Sequence, residues 1–241
     1  MQLNGKKIMA KRPVFIPVSH GELLVKTIFV EFNWHPGFAV KQKQRNISCL
    51  HDKAYLLGGI SNILEVSSKS ENELGVSLSA FNLKGKTKKY EEEFTVETLF
   101  QSSKVFKFGG PYRDLLCKTS LEAKKDERIK ESGTLIGFDL FGDIWELEPK
   151  TAFYDYIYIK TLLENKHLID DILKYDAFTD IEFNPEKSIN CQAYSVALFK
   201  ALSLRCLLPR SVSNKKAFLD TIKNRPISTS SDDSSIQQNL F

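Results

Sequence analysis

The segment from Pro149 to Leu163 constrains this chain more than any other. Phe153, Tyr156, Ile157, Ile159, Leu162 and Leu163, with Lys160 among them, make a helix that is apolar over much of its circumference. A helix without a polar face has to be enclosed by other elements, so this one is expected at the centre of the core. Pro149 is read as its first residue, since proline's missing N–H costs nothing there. Its partners follow from pattern. Ile189 to Leu208 forms a last helix with Ala193, Val196, Ala197 and Phe199 inward, interrupted by Pro209, and Phe218 docks a short terminal helix. His167 to Tyr175 is another helix, and Leu121 to Glu131 a highly charged one.

Strand signals are few and concentrate early. Leu24 to Phe32 alternates and is closed by Trp34-His35-Pro36-Gly37, after which Ile47, Leu50, Ala54 and Leu57 mark a helix stopped by Gly58-Gly59. Ile63 to Ser67 and Val76 to Phe81 read as short strands, and Lys84 to Glu93 as a charged hairpin or loop. Leu135 to Phe141 is a short apolar segment that Gly142-Asp143 turns towards Trp145, and Ala177 to Ser188 an irregular acidic loop. Residues 1–22, broken by Pro13 and Pro17, are expected as an arm with at most a short edge strand, and residues 223–241 as a disordered tail. The expectation is an α+β fold: one mainly helical domain over residues 23–222 with a few short N-terminal strands.

At 42% hydrophobic and 27% charged, the 241 residues are those of a globular protein. Neither a signal peptide nor a membrane span is evident, so a soluble, cytoplasmic protein is expected. The four cysteines and four histidines are scattered without metal-ligand spacing, so neither metal nor cofactor is expected. A net charge of +4 permits nucleic-acid contact. Lys41, Lys43 and Arg45, on the outer faces of the first helix, are candidate phosphate contacts, although a solvated face is the plainer reading.

Chemistry concentrates in Phe94 to Tyr112, FTVETLFQSSKVFKFGGPY, read as one helix ending at Gly109-Gly110-Pro111. Glu97, Gln101 and Lys104 fall four and three residues apart, which puts them on one helical stripe. An exposed ion pair is the ordinary meaning of such spacing. Val96, Leu99, Phe100, Val105 and Phe106 argue instead for burial. Burial raises a carboxyl's pKa and lowers an amine's, which suits an acid and an amine nucleophile near neutrality.

The run Thr95-Val-Glu97-Thr-Leu-Phe100-Gln101-Ser-Ser-Lys104 resembles the TVEHYFQAQKF signature of the NADAR (YbiA-like) N-glycosidases, with Glu97, Phe100, Gln101 and Lys104 in register. Gly75 and Leu78-Ser79-Ala80-Phe81 resemble that family's glycine and FSNF. Arg128, Trp145, Lys150, the Leu162 to Leu173 helix pair, and Lys187 to Asn190 fall at further family positions. Ala80 replaces an asparagine, Glu127 a glycine, and Ala177 to Asn190 stands where the family carries WGxG. Together with the extra N-terminal PGFAVKQKQRNISCLH, this pattern resembles the NADAR antitoxins encoded beside DarT-type toxins that ADP-ribosylate guanine in DNA.

The resemblance implies an antitoxin that releases ADP-ribose from DNA guanine through a lysine Schiff base. Its expected partners are ADP-ribosylated DNA, ADP-ribose as product and a cognate toxin. Glu97 is the implied acid and Lys104 the amine, Lys69 the rival amine, and Asp180 and Glu182 the candidate loop carboxylates. Ser79, Phe81, Asn82, Phe100, Gln101, Arg128, Trp145, Lys150, Lys187 and Asn190 are the implied substrate contacts. Two other readings stand: an N-glycosidase of a small riboflavin-pathway metabolite, and an antitoxin that only binds its toxin.

Overall fold

The computed structural model describes residues 8–87 and 91–223, so the expected tail lies outside the described residues apart from its first position. The fold is α+β. A four-stranded sheet has the order β2-β1-β9-β3, where β1 is Ile8–Pro17, β2 Val25–Trp34, β3 Ile63–Glu65 and β9 Ala177–Thr179. β1 pairs antiparallel with β2 from Ile8↔Trp34 to Pro17↔Val25, and with β9 at Phe15↔Phe178. The ten-residue β1 is therefore interior to the sheet, which corrects the expectation of an arm with at most a short edge strand. Alternation explains why. Val14 packs in a cluster with Ile47, Leu50 and Ala54 of α1 (Val40–Tyr55), while Phe15 packs in the main core against Tyr194 of α8 (Gln192–Leu204). Pro13 and Pro17 lack only a donor, and the strand holds its register through both.

The sheet thus has α1 on one face and α6 (Ala152–Glu164) with α8 on the other. All of α6 but Lys160 and its last two residues is buried, with Tyr158 and Ile159 fully enclosed. Pro149 precedes the helix rather than opening it, and Ala152 N–H donates to its carbonyl. The one carboxylate in the first turn, Asp155, accepts from Thr151 Oγ1 at 2.7 Å and Ser195 Oγ at 2.6 Å, which binds α6 to α8.

Val76 to Phe81 is not a strand. Asn72 caps α2 (Glu73–Ser77) by accepting from Leu74 N–H at 2.9 Å, and α2 is followed by a short pair, β4 (Lys84–Lys86) with β5 (Glu93–Thr95). Nor is Phe94 to Tyr112 one helix. α3 (Val96–Ser102) begins at a capping box on Thr95 and is over within two turns. Ser102 and Ser103 hydroxyls both donate to Leu99 O, at 3.1 and 2.8 Å, and Ser103 O accepts from Asp139 N–H at 2.8 Å. Local serine bonds compete with helix continuation, and the neighbouring strand takes the next carbonyl. β6 (Lys104–Phe106) then joins β7 (Leu135–Leu140) and β8 (Asp143–Trp145) in a second sheet. The charged helix is two pieces, α4 (Ser120–Lys125) and α5 (Arg128–Glu131). α7 (Ile169–Ile172) and α9 (Lys215–Lys223) complete the chain.

Candidate functional site

β3 and β9 are parallel, with Glu65 opposite Thr179, so the segments leaving both strands emerge at the same end. Ser67, Ser68 and Lys69 follow one, and Asp180 to Asn190 follow the other. Between these two exits and α3 lies a cleft of about 630 Å³, within the range of small-molecule and cofactor sites.

Glu97, Gln101 and Phe100 reach the cleft from α3, and Lys104 from the first position of β6, where it pairs with Phe138. The stripe foreseen on one helix is therefore assembled from a helix and a strand. Gln101 Nε2 donates to Glu97 Oε1 at 2.9 Å, and Gln101 Oε1 is buried without a partner among the described residues. Glu97 is 7% exposed. The Lys104 ammonium lies 4.7 Å from the centre of the Phe100 ring. Burial lowers the Lys104 pKa to about 8, against the Glu97 charge, which raises it, and with a smaller push downward from Lys124. At that value a sizeable fraction of Lys104 is neutral at physiological pH, the form an amine nucleophile requires.

Lys69, half-buried in its turn, shares the cleft. Asp180 lines it at 7% exposure, and Glu182 lines it at the rim while ion-paired to Lys43 Nζ at 2.9 Å. Burial, and second the charge of Glu65, push the Asp180 carboxyl well above the usual carboxylate range. Ser79, Phe81, Lys187 and Asn190 also line the cleft.

Four expected contacts stand elsewhere. Asn82 bonds to Val76 O at 2.9 Å beside a separate cavity. Arg128 is held by Asp114 at 2.7 Å and Asp126 at 2.8 Å, with its guanidinium over Tyr112. Trp145 is a core residue, 4.7 Å from the Tyr156 ring and 5.6 Å from Phe153. Lys150 is exposed in the turn before α6. Lys41 and Arg45 are exposed on α1, whereas Lys43 also lies over Trp34 at 5.5 Å.

Sequence reasoning missed several members of the site. Phe138 and Tyr154 complete an aromatic wall around Phe100, at 5.5 and 5.2 Å. Lys124 lies 5.2 Å from the Phe81 ring, and Gln192 accepts from Ala80 N–H at 2.7 Å while also bonding Asp180. Each sits in a segment whose pattern marks core or surface; only the fold turns it to the cleft.

Among the described residues no group of His, Cys, Asp and Glu is placed to hold a metal ion, and no helix is long and apolar enough to cross a membrane. No curated protein matches the chain. The family described as DarT1-associated NADAR antitoxin matches residues 10–232, a span that takes in all of the sheet but Ile8 and Met9, the cleft and every one of its walls. The chain belongs to this family of NADAR antitoxins.

Proposed function

We propose that the cleft releases ADP-ribose from guanine bases of DNA, as the antitoxin to a DNA ADP-ribosyltransferase. The carrying observation is Lys104: an amine half-buried against Phe100, with its pKa lowered to about 8 and Glu97 among the charges that act on it. Proton donation to the ring oxygen of the attached ribose opens the sugar to an imine with the guanine nitrogen. Lys104 Nζ adds to that carbon, the guanine amine departs, and a second imine links ribose C1 to Lys104. Water then returns ADP-ribose and free lysine.

Phe100, Phe138 and Phe81 offer apolar faces to the base and sugar, Gln101 Oε1 is free to accept from a substrate N–H or O–H, and Lys124 and Lys187 suit the pyrophosphate. Lys41 and Arg45, exposed on α1, remain candidates for the DNA backbone. Borohydride reduction during turnover of an ADP-ribosylated oligonucleotide tests the reading. It predicts a covalent ADP-ribose adduct on Lys104 that is lost in Lys104→Ala and kept in Lys69→Ala. An adduct kept in Lys104→Ala and lost in Lys69→Ala reassigns the nucleophile, and turnover with no adduct rejects the imine.

A further inference from the structure

Beneath the cleft, outside its lining, Glu65 is 3% exposed and has three donors converging on it. Ser67 Oγ and Ile181 N–H donate to Oε1 at 2.7 and 2.8 Å, and Thr179 Oγ1 donates to Oε2 at 2.7 Å. The directions of these bonds are set by what stands behind them. Lys69 N–H donates to Ser67 Oγ, which leaves the serine's own proton for Glu65. His51 Nε2 lies 2.8 Å from Thr179 Oγ1, and the tautomer with its proton on Nε2 leaves the threonine's proton for Glu65 too. Burial holds His51 neutral, with its pKa down to about 4. Burial raises the Glu65 pKa, and the bonds from Ile181, Ser67 and Thr179 oppose that rise by favouring the charged form.

Asp180, one residue past the Thr179 that pairs with Glu65, meets different company. It accepts from Glu182 N–H at 3.0 Å and from the Gln192 side chain. The groups that face it are Glu65 from β3, Glu182 from its own loop, Cys191 at the start of α8, Tyr154 and Tyr158 from α6, and Arg12 from β1. Two of these are carboxyls and one is a cation. Neighbouring buried carboxyls do not both ionise, and the one with fewer donors keeps the proton.

We propose that Glu65 carries the buried negative charge and thereby keeps Asp180 protonated, which makes Glu65 a positioning residue and Asp180 the proton donor to the departing guanine amine. The inference rests on the glycohydrolase reading above. In the adduct where ribose C1 bears both nitrogens, the bond to the guanine amine breaks with its electron pair on that nitrogen, and the Asp180 proton completes the amine. The lone pair on Lys104 Nζ forms the C=N bond. Water then adds to that carbon and returns a proton to Asp180. Glu97 accepts from Gln101 and acts on Lys104 through its charge.

The test is the pH dependence of turnover on an ADP-ribosylated oligonucleotide for wild type, Glu65→Gln, Thr179→Val and Asp180→Asn. Glutamine is tolerated at 65, because Thr179 can turn its hydroxyl to accept from the new amide and donate to the other His51 tautomer. Wild-type activity is expected to fall at alkaline pH as Asp180 loses its proton. Glu65→Gln moves that limb to lower pH by about one unit or more while leaving the rate near pH 6 within roughly threefold, and Asp180→Asn lowers kcat by roughly a hundredfold or more at pH values below the limb. Thr179→Val removes one donor, leaves the carboxyl, and moves the limb the same way by less. A uniform fall in rate with the limb in place, in both Glu65→Gln and Thr179→Val, overturns the assignment. Full activity in Asp180→Asn does so as well. A wild type inactive on this DNA overturns the glycohydrolase reading itself.

Discussion

Lys104 is the residue on which three influences meet. Burial lowers its pKa most, Glu97 opposes with an attractive charge, and Lys124 adds a smaller repulsion, leaving it at about 8. The signs make a prediction. Glu97→Gln removes the stabilising charge, so the Lys104 pKa falls further below 8. Lys124→Ala removes a repulsion, so it rises. Titrating the rate of Lys104 acylation against pH in each variant checks both, and movement in the opposite sense contradicts the electrostatics. The sequence made Glu97, Gln101 and Lys104 visible because four-and-three spacing is a local property. It could not show that Lys104 belongs to a strand, since the Ser102 and Ser103 bonds that help to end α3 are local, but the bond that draws the next residues into a sheet comes from Asp139. Glu65 was invisible for a related reason: two of its three donors, Thr179 and Ile181, come from a segment more than a hundred residues away.

Elements bring these residues together with little slack. Gly75 of α2 is buried, and a Cβ there would stand 2.0 Å from Glu65 O and 2.5 Å from Ser70 Oγ. The first of these atoms is backbone and cannot yield cheaply. Gly75→Ala is expected to cost about 3 kcal/mol of stability, measured by denaturant unfolding, and a change below about 0.5 kcal/mol contradicts the packing described. The same close approach explains why α2 was misread. Val76, Leu78 and Ala80 alternate like a strand, yet Asn72 supplies a helix cap and Gly75 lets the helix press against β3. At β1 the alternation around Val14 and Phe15 was legible in principle, and the two prolines obscured it; neither breaks a strand whose partners accept around them. The enclosure of the largely apolar α6, by contrast, was read correctly, its start at Pro149 apart, since only enclosure suits such a helix.

At the scale of the whole molecule, two buried groups give stability opposite pH dependences. Asp155 has its pKa raised to about 7 by burial, above its unfolded value, so its contribution is complete at low pH and is lost as pH rises through about 7. His51, lowered to about 4, contributes fully above its unfolded value near 6.5 and loses that contribution as pH falls towards 4. The two slopes largely cancel between these limits. Asp155→Asn removes one of them, so its stability relative to wild type should improve as pH rises from about 4 to 7, by on the order of 4 kcal/mol in total. Thermal unfolding across that interval checks it, and parallel curves for the two proteins contradict it.

The central claim is that this fold places a partly neutral lysine to take ADP-ribose from DNA. Its most direct test is mass analysis of an oligonucleotide carrying ADP-ribosyl-guanine after incubation with wild type, Glu97→Gln and Lys104→Ala. The account predicts intact guanine and free ADP-ribose with wild type, and unchanged substrate with Lys104→Ala. Label that persists in the presence of wild type, or is released as fast by Lys104→Ala, would contradict it.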